Sequence, residues 1–122
     1  MNIHESGEDY LETILMLCNR HGSARSVDIA AHLGVSKPSV SFAMKKLREN
    51  GYILMGDDNR ITLTLEGEVI ARRVFERHDL LCTMLIRLGV SEETARADAC
   101  KIEHDLSDET FEAIRRHLKT YS

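Results

Sequence analysis

Long hydrophobic runs are missing from this chain. No apolar stretch reaches the roughly 18 residues that a bilayer span requires, and the first ten residues, MNIHESGEDY, are polar, unlike a secretory leader. Neither a membrane anchor nor a signal peptide is expected, and the cytoplasm is the default location. Cysteine is scarce and odd in number. Cys18, Cys82 and Cys100 supply no paired framework, which argues for reduced thiols used in packing, reactivity or metal binding. Proline occurs once in 122 residues, and no Pro- or Ser-rich linker or internal repeat divides the chain, so one domain, or one with a small extension, is the size class. There is no phosphate loop, nucleophile elbow or recognisable catalytic triad, which makes an enzyme the least expected reading.

What is present concentrates between Ser26 and Ile53, SVDIAAHLGVSKPSVSFAMKKLRENGYI. Ser26 fits an N-cap, Val27, Ile29, Ala30 and Leu33 fit the apolar face of a short helix, and Gly34 fits its end. Ser36 fits the cap of a second helix. Pro38 is tolerated there because it falls in the first turn, where no intrahelical N–H bond is lost. Val40, Ala43, Met44 and Leu47 recur at helical spacing and face inward, leaving Ser36, Lys37, Ser39, Ser41 and Lys45 outward. Short hydroxyls approach base edges closely, while Lys37, Lys45, Lys46 and Arg48 bring positive charge to phosphates.

After Gly51, YILMGDDNRITLT reads as two short strands around Gly56, Asp57, Asp58 and Asn59. That hairpin is a wing. The expected fold is mainly α, an N-terminal winged helix-turn-helix over 1–64 followed by a helical domain over 65–122. The expected DNA-binding residues are Arg25, Ser36, Lys37, Pro38, Ser39, Ser41, Lys45, Lys46 and Arg60.

A net charge of −4 suits a nucleic-acid binder poorly until it is divided along the chain. Residues 20–60 hold seven Lys/Arg against four Asp/Glu, whereas residues 1–19 carry −4 and residues 61–122 carry −3. Phosphate affinity follows the local footprint rather than the total.

Helix one is expected from about Gly7 to Asn19, capped by Ser6, with Leu11, Ile14, Leu15 and Cys18 buried. Thr64 should cap a long helix to about Leu88, with Leu65, Val69, Val74, Phe75, Leu81, Leu85 and Leu88 on its apolar side. Gly89 ends it. Ser91 opens a helix with Ala95, Ala99, Ile102 and Leu106 as its stripe, and Ser107 opens a last one containing Phe111, Ile114 and Leu118. Helix-turn-helix proteins usually bind paired half-sites as dimers, so a homodimer on a palindromic double-stranded operator is expected.

The acidic segments carry a second pattern. Asp9 and Glu12 lie a turn apart, and Cys100, Glu103 and His104, at i, i+3 and i+4, offer thiolate, carboxylate and imidazole to one side of a helix. His78 falls among Val74, Phe75, Leu81 and Cys82, where an imidazole needs a partner. Taken singly each residue has a plainer use: Asp9 in a capping box, Glu12 as a solvated charge, His78 as a satisfied core histidine and Cys100 as a small buried hydrophobe.

Across ESGEDYLETI, the helix-turn-helix, the start of the wing, RHDLL and CKIEHDLS the chain resembles the metal-dependent repressors of the diphtheria toxin repressor and manganese transport regulator family, which makes the helical segment 65–122 the expected dimerisation and metal-binding domain. The resemblance implies that Asp9, Glu12, His78, Cys100, Glu103 and His104 fall where that family places its ligands, and that the ion sets the spacing of two reading heads. The sequence is a hybrid. Manganese-type members have an acidic residue where Cys100 stands, and iron-type members have methionine where Asp9 stands. Cys82 and Arg96 occupy the positions of the iron type's ancillary ligands. The 122 residues contain no counterpart of the SH3-like third domain of larger iron-type members, which makes a short form the expectation.

Asp9, Glu12 and Glu103 are hard donors suited to Mn(II) or Fe(II), whereas Cys100 favours Fe(II), Co(II) or Zn(II). Fe(II) satisfies both, Mn(II) is next, and Zn(II) or Co(II) would bind in vitro. Two other readings stay open: a thiol redox regulator acting through Cys18, Cys82 or Cys100, and a winged-helix module that docks on protein without touching DNA.

Overall fold

The computed structural model describes residues 5–120. Six helices and one two-stranded sheet follow in the order α1 (Glu5–His21), α2 (Ser26–Leu33), α3 (Lys37–Glu49), β1 (Ile53–Met55), β2 (Ile61–Leu63), α4 (Leu65–Arg87), α5 (Glu92–Ile102) and α6 (Asp108–Thr120). The chain divides into two compact units, one through Arg73 and one from Val74 onward.

The first unit is a winged helix-turn-helix. Leu11, Ile14, Ile29, Val40, Met44, Ile53 and Ile61 are almost completely buried in one core, because the 3.6-residue period of three helices and the two-residue period of the strands all turn their apolar side inward. Gly34 closes α2 in the left-handed region at φ 68°. Ser36 caps α3, its hydroxyl accepting from the Ser39 amide, and Pro38 sits in the first turn. β1 and β2 pair antiparallel, Ile53 opposite Leu63 and Met55 opposite Ile61. Asn59 takes φ 64° in the tip of the wing, a conformation asparagine tolerates better than most residues.

The sequence did not announce a third partner for the wing. Ala24 and Ile61 exchange both backbone hydrogen bonds, at 2.9 and 2.7 Å, so the link after α1 is stitched to β2. Thr64 joins the wing to α4. Its hydroxyl donates to the Gly51 carbonyl at 2.7 Å and accepts from the Gly67 amide at 3.1 Å.

Ser6 lies inside α1 rather than capping it, since Glu5 is already helical. Ser26 is the first residue of α2, and the N-cap is Arg25, which makes no side-chain cap bond. Val27 is 52% exposed, because it sits about 200° around the helix from Ile29 and cannot share its face. On α4, Leu65, Val69 and Phe75 are exposed in the single chain while Val74 and Leu81 are buried, and Leu88, expected to end the helix, is exposed in the turn after Arg87. Apolar residues therefore occupy more than one side of this helix.

In the second unit Leu81, Cys82, Ala95 and Ala99 form the buried core, with Leu85, Ile102, Leu106 and Ile114 packed against it. Ser91 caps α5 and the Ser107 hydroxyl accepts from the Thr110 amide at 3.2 Å. α5 stops at Ile102, with Glu103 as its C-cap, so Glu103 and His104 stand in the terminal turn rather than within the helix.

Candidate functional site

Ala95 and Ala99 of α5 share a buried cluster with Leu81 and Cys82 of α4, and His78, one turn before those residues on the same side of α4, meets the end of α5. His78 Nδ1 is 2.9 Å from Glu103 Oε2, and Cys100 Sγ is 3.7 Å from the same nitrogen. The partner that His78 needed is therefore Glu103. One ligand atom from each of His78, Cys100 and Glu103 falls within 4.8 Å of the others. Glu103 is 1% exposed, His78 is half-buried and Cys100 is exposed, so a carboxylate stands at the floor and a thiol at the rim.

Two features of this group fit a divalent transition metal. Its donors are a carboxylate, an imidazole and a thiol, a mixed set that first-row ions accept. Glu103 Oε1, moreover, is buried without a hydrogen-bond partner among the described residues; His104 Nε2 lies 3.4 Å away without forming one. That contact is an ion pair only if the imidazole is protonated; beside a neutral His104 the buried oxygen is costly unless a cation meets it.

Arg77 was not foreseen. It is 8% exposed, and its Nη1 donates to the carbonyls of Glu103 at 3.1 Å and Leu106 at 2.8 Å, while Nη2 pairs with Asp108. The guanidinium also lies over the Phe111 ring, 5.2 Å from its centroid. A lone basic residue on a helix gives no sequence signal of such burial. The turn that carries Glu103 and His104 is thus held by the neighbour of His78.

Asp9 and Glu12 are in the first unit, both half-buried on α1 and about a turn apart. All three cysteines are free thiols. Burial pushes the Cys18 thiol up from its ordinary value of 9.0. Burial does the same at Cys82, where Arg96 pulls down and Asp79, Glu92 and Glu103 push further up. Such thiols are poor nucleophiles at neutral pH, which disfavours a redox switch at these two positions.

Every expected DNA-binding residue is exposed: Arg25, Ser36, Lys37, Pro38, Ser39, Ser41, Lys45, Lys46 and Arg60. Arg25, Ser41, Lys45, Arg48, Met55 and Asn59 line an open cleft of about 530 Å³ between α3 and the wing. Asn59 was missed because turn residues are read for their backbone. Arg60 is tied to Asp58 at 2.9 Å, so part of its charge is answered within the wing. Phe42 was missed too, and it is 63% exposed on α3.

Residues 2–58 match the family described as iron dependent repressor, N-terminal DNA binding domain, and residues 64–122 match iron dependent repressor, metal binding and dimerisation domain. The chain is similar to the transcriptional regulator MntR of Escherichia coli O6:H1, 45% identical over 108 residues that make up 88% of this chain and 70% of that protein. The HTH-type transcriptional regulator MntR of Bacillus subtilis is 38% identical, over 89% of this chain and 77% of its own. Among solved structures, the IdeR of T. acidophilum superposes with a TM-score of 0.84 at 26% identity, over 98% of this chain and 55% of that one. A manganese-dependent transcriptional repressor in complex with manganese gives 0.83 at 29% identity, over 93% and 52%. The chain thus spans about half the length of these solved chains.

Proposed function

Because the chain belongs to the iron-dependent repressor family, we propose that it is a metal-responsive transcriptional repressor which binds palindromic operator DNA as a homodimer and controls metal-uptake genes. Its relatives are regulators of transcription, and it is not an enzyme. The observation that carries the metal reading is the buried Glu103 carboxylate, bonded to His78 through one oxygen and lacking a hydrogen-bond partner on the other.

In this proposal His78, Cys100, Glu103 and His104 hold the ion, and Asp9 and Glu12 on α1 complete the set, as the family resemblance implies. The bound cation supplies positive charge and a common anchor for these side chains. Fe(II) is the ion whose preferences the mixed donors meet best, and Mn(II) is next. Binding that favours the DNA-competent state must, by linkage, be strengthened by DNA in return, a coupling typically worth about 1–3 kcal/mol. The exposed Leu65, Val69 and Phe75 of α4, with Leu88 just after it, give the dimer apolar surface to bury.

The test is duplex binding to a genomic fragment pool in chelator, Mn(II), anaerobic Fe(II) and Zn(II). Binding that needs Fe(II) or Mn(II) and falls steeply with salt supports the proposal. Equal affinity in chelator and in excess metal sinks it, and an absence of salt-dependent binding favours a protein-docking module instead.

A further inference from the structure

The outward face of α3 carries a side chain that its basic and hydroxyl neighbours do not account for. Phe42 is 63% exposed, whereas Val40, Met44 and Leu47 of the same helix are buried. Helical spacing sets the ring on one face with Ser39, three residues before it, and with Lys45 and Lys46, three and four after it. Lys46 Nζ lies over the ring, 4.9 Å from its centroid, an attraction between cation and ring quadrupole that holds both side chains together. Phe42 is also in the second turn of α3, the end of a recognition helix that meets base edges.

The surroundings decide what covers this ring. Lys45 and Lys46 are exposed beside it and Lys37 is exposed at the start of the same helix, so the occupant presents negative charge on the flanks and an apolar group in the middle. Duplex DNA does this in its major groove, where phosphates line both edges and the thymine C5-methyl is the apolar element among hydrogen-bonding groups. We propose that Phe42 is a specificity-determining residue whose ring packs on a thymine methyl in each operator half-site, with Lys46 pairing to the adjacent phosphate. This inference rests on the DNA-binding reading above.

The experiment uses a duplex enriched by the full chain, with the activating ion, from a randomised pool. Thymines are then replaced by deoxyuridine, which lacks the methyl alone, one symmetric pair at a time. Wild type should lose about fourfold in affinity per half-site at one such position, the value of about one buried methylene-sized group. Phe42→Ala should bind more weakly and treat the two duplexes alike, with an unchanged thermal midpoint and salt dependence. Phe42→Leu, which keeps apolar bulk, should retain a methyl preference, and this holds the test open if the alanine variant loses all specific binding. Indifference of wild type to every replacement, or full methyl discrimination by Phe42→Ala, overturns the inference. A pool that enriches no duplex overturns the DNA-binding reading itself, whereas enrichment without methyl dependence removes only the role of Phe42.

Discussion

Arg77 donates a 2.8 Å hydrogen bond to the carbonyl of Leu106 and a 3.1 Å bond to that of Glu103, so one buried guanidinium holds the turn in which the candidate ligands stand. Carbonyls at the end of a helix have no intrahelical partner. Arg77 satisfies one of them, at the Glu103 C-cap of α5, and a second carbonyl in the linker at Leu106, and it fixes the position of Glu103 relative to His78, its own neighbour on α4. The candidate centre therefore depends on a residue that touches none of its ligand atoms.

Arg77→Met keeps most of the stem's bulk but leaves both carbonyls without this donor and Asp108 without this partner. The loss expected is about 1–3 kcal/mol of stability, the range for leaving buried acceptors without their donor, since Asp108 is exposed and water replaces its partner at little cost. Metal affinity should fall by about tenfold, the lower end for residues that support ligands from outside. Denaturant titration and metal competition on the same preparation check both, and an unchanged metal affinity would show that the turn keeps its shape without the arginine.

Cys100→Asp exchanges the soft donor for a hard one at the exposed rim of the group. Affinity for Zn(II) and Co(II) should drop more than affinity for Mn(II), because thiolate contributes most to the softer ions. Calorimetric competition measures the ratio. Loss of the near-ultraviolet thiolate-to-Co(II) band would identify Cys100 as the sulfur involved, and a thiol switch would instead lose its DNA response without any change in ion preference.

How much was legible in the sequence follows from how local each signal is. Ser36, Thr64, Ser91 and Ser107 cap helices as read, and Gly34 closes α2, because a cap is decided by a few consecutive residues. The wing was legible for the same reason. Cys100, Glu103 and His78 were singled out, yet the residues alone did not separate ligands from ordinary uses; the 2.9 Å approach of His78 to Glu103 spans 25 positions, and spacing cannot report it. Ala24 pairing with Ile61 and Arg77 reaching Leu106 were hidden by the same separation. Ser26 failed as a cap because Arg25 already has the extended backbone that the cap position requires. Phe42 was passed over because a phenylalanine in a helix is ordinarily core, and only its exposure shows otherwise.

Gly67→Ala tests the junction between the wing and α4. A Cβ at Gly67 would stand 2.0 Å from the Tyr52 carbonyl oxygen and 3.0 Å from its carbon, and both are backbone, which cannot swing aside. Alanine gains about 1 kcal/mol of helix propensity over glycine, while forcing an atom into packed structure typically costs about 1–3 kcal/mol. With a contact this short the cost should lie at or beyond the upper end, so the variant should be less stable by about 2 kcal/mol. Glu66→Ala, at the exposed neighbouring position, should stay within about 0.5 kcal/mol of wild type.

Cys18 gives the first unit a pH dependence whose sign follows from its burial. Its folded-state thiol is pushed above the ordinary value of 9.0 by desolvation, and its Sγ donates to the Ile61 carbonyl at 3.7 Å. Below the ordinary value the thiol is protonated in both the folded and unfolded chain, and pH has no leverage. As pH rises past 9.0, the unfolded chain releases the proton first, so it binds fewer protons than the folded one and stability falls with pH. Cys18→Ala lacks this proton. The stability difference between wild type and Cys18→Ala should be flat through neutral pH and move against wild type above the ordinary thiol value, as read from denaturant midpoints. The comparison cancels lysine and tyrosine titrations common to both proteins, so a flat difference across the whole range would mean that the thiol ionises as readily in the fold as outside it.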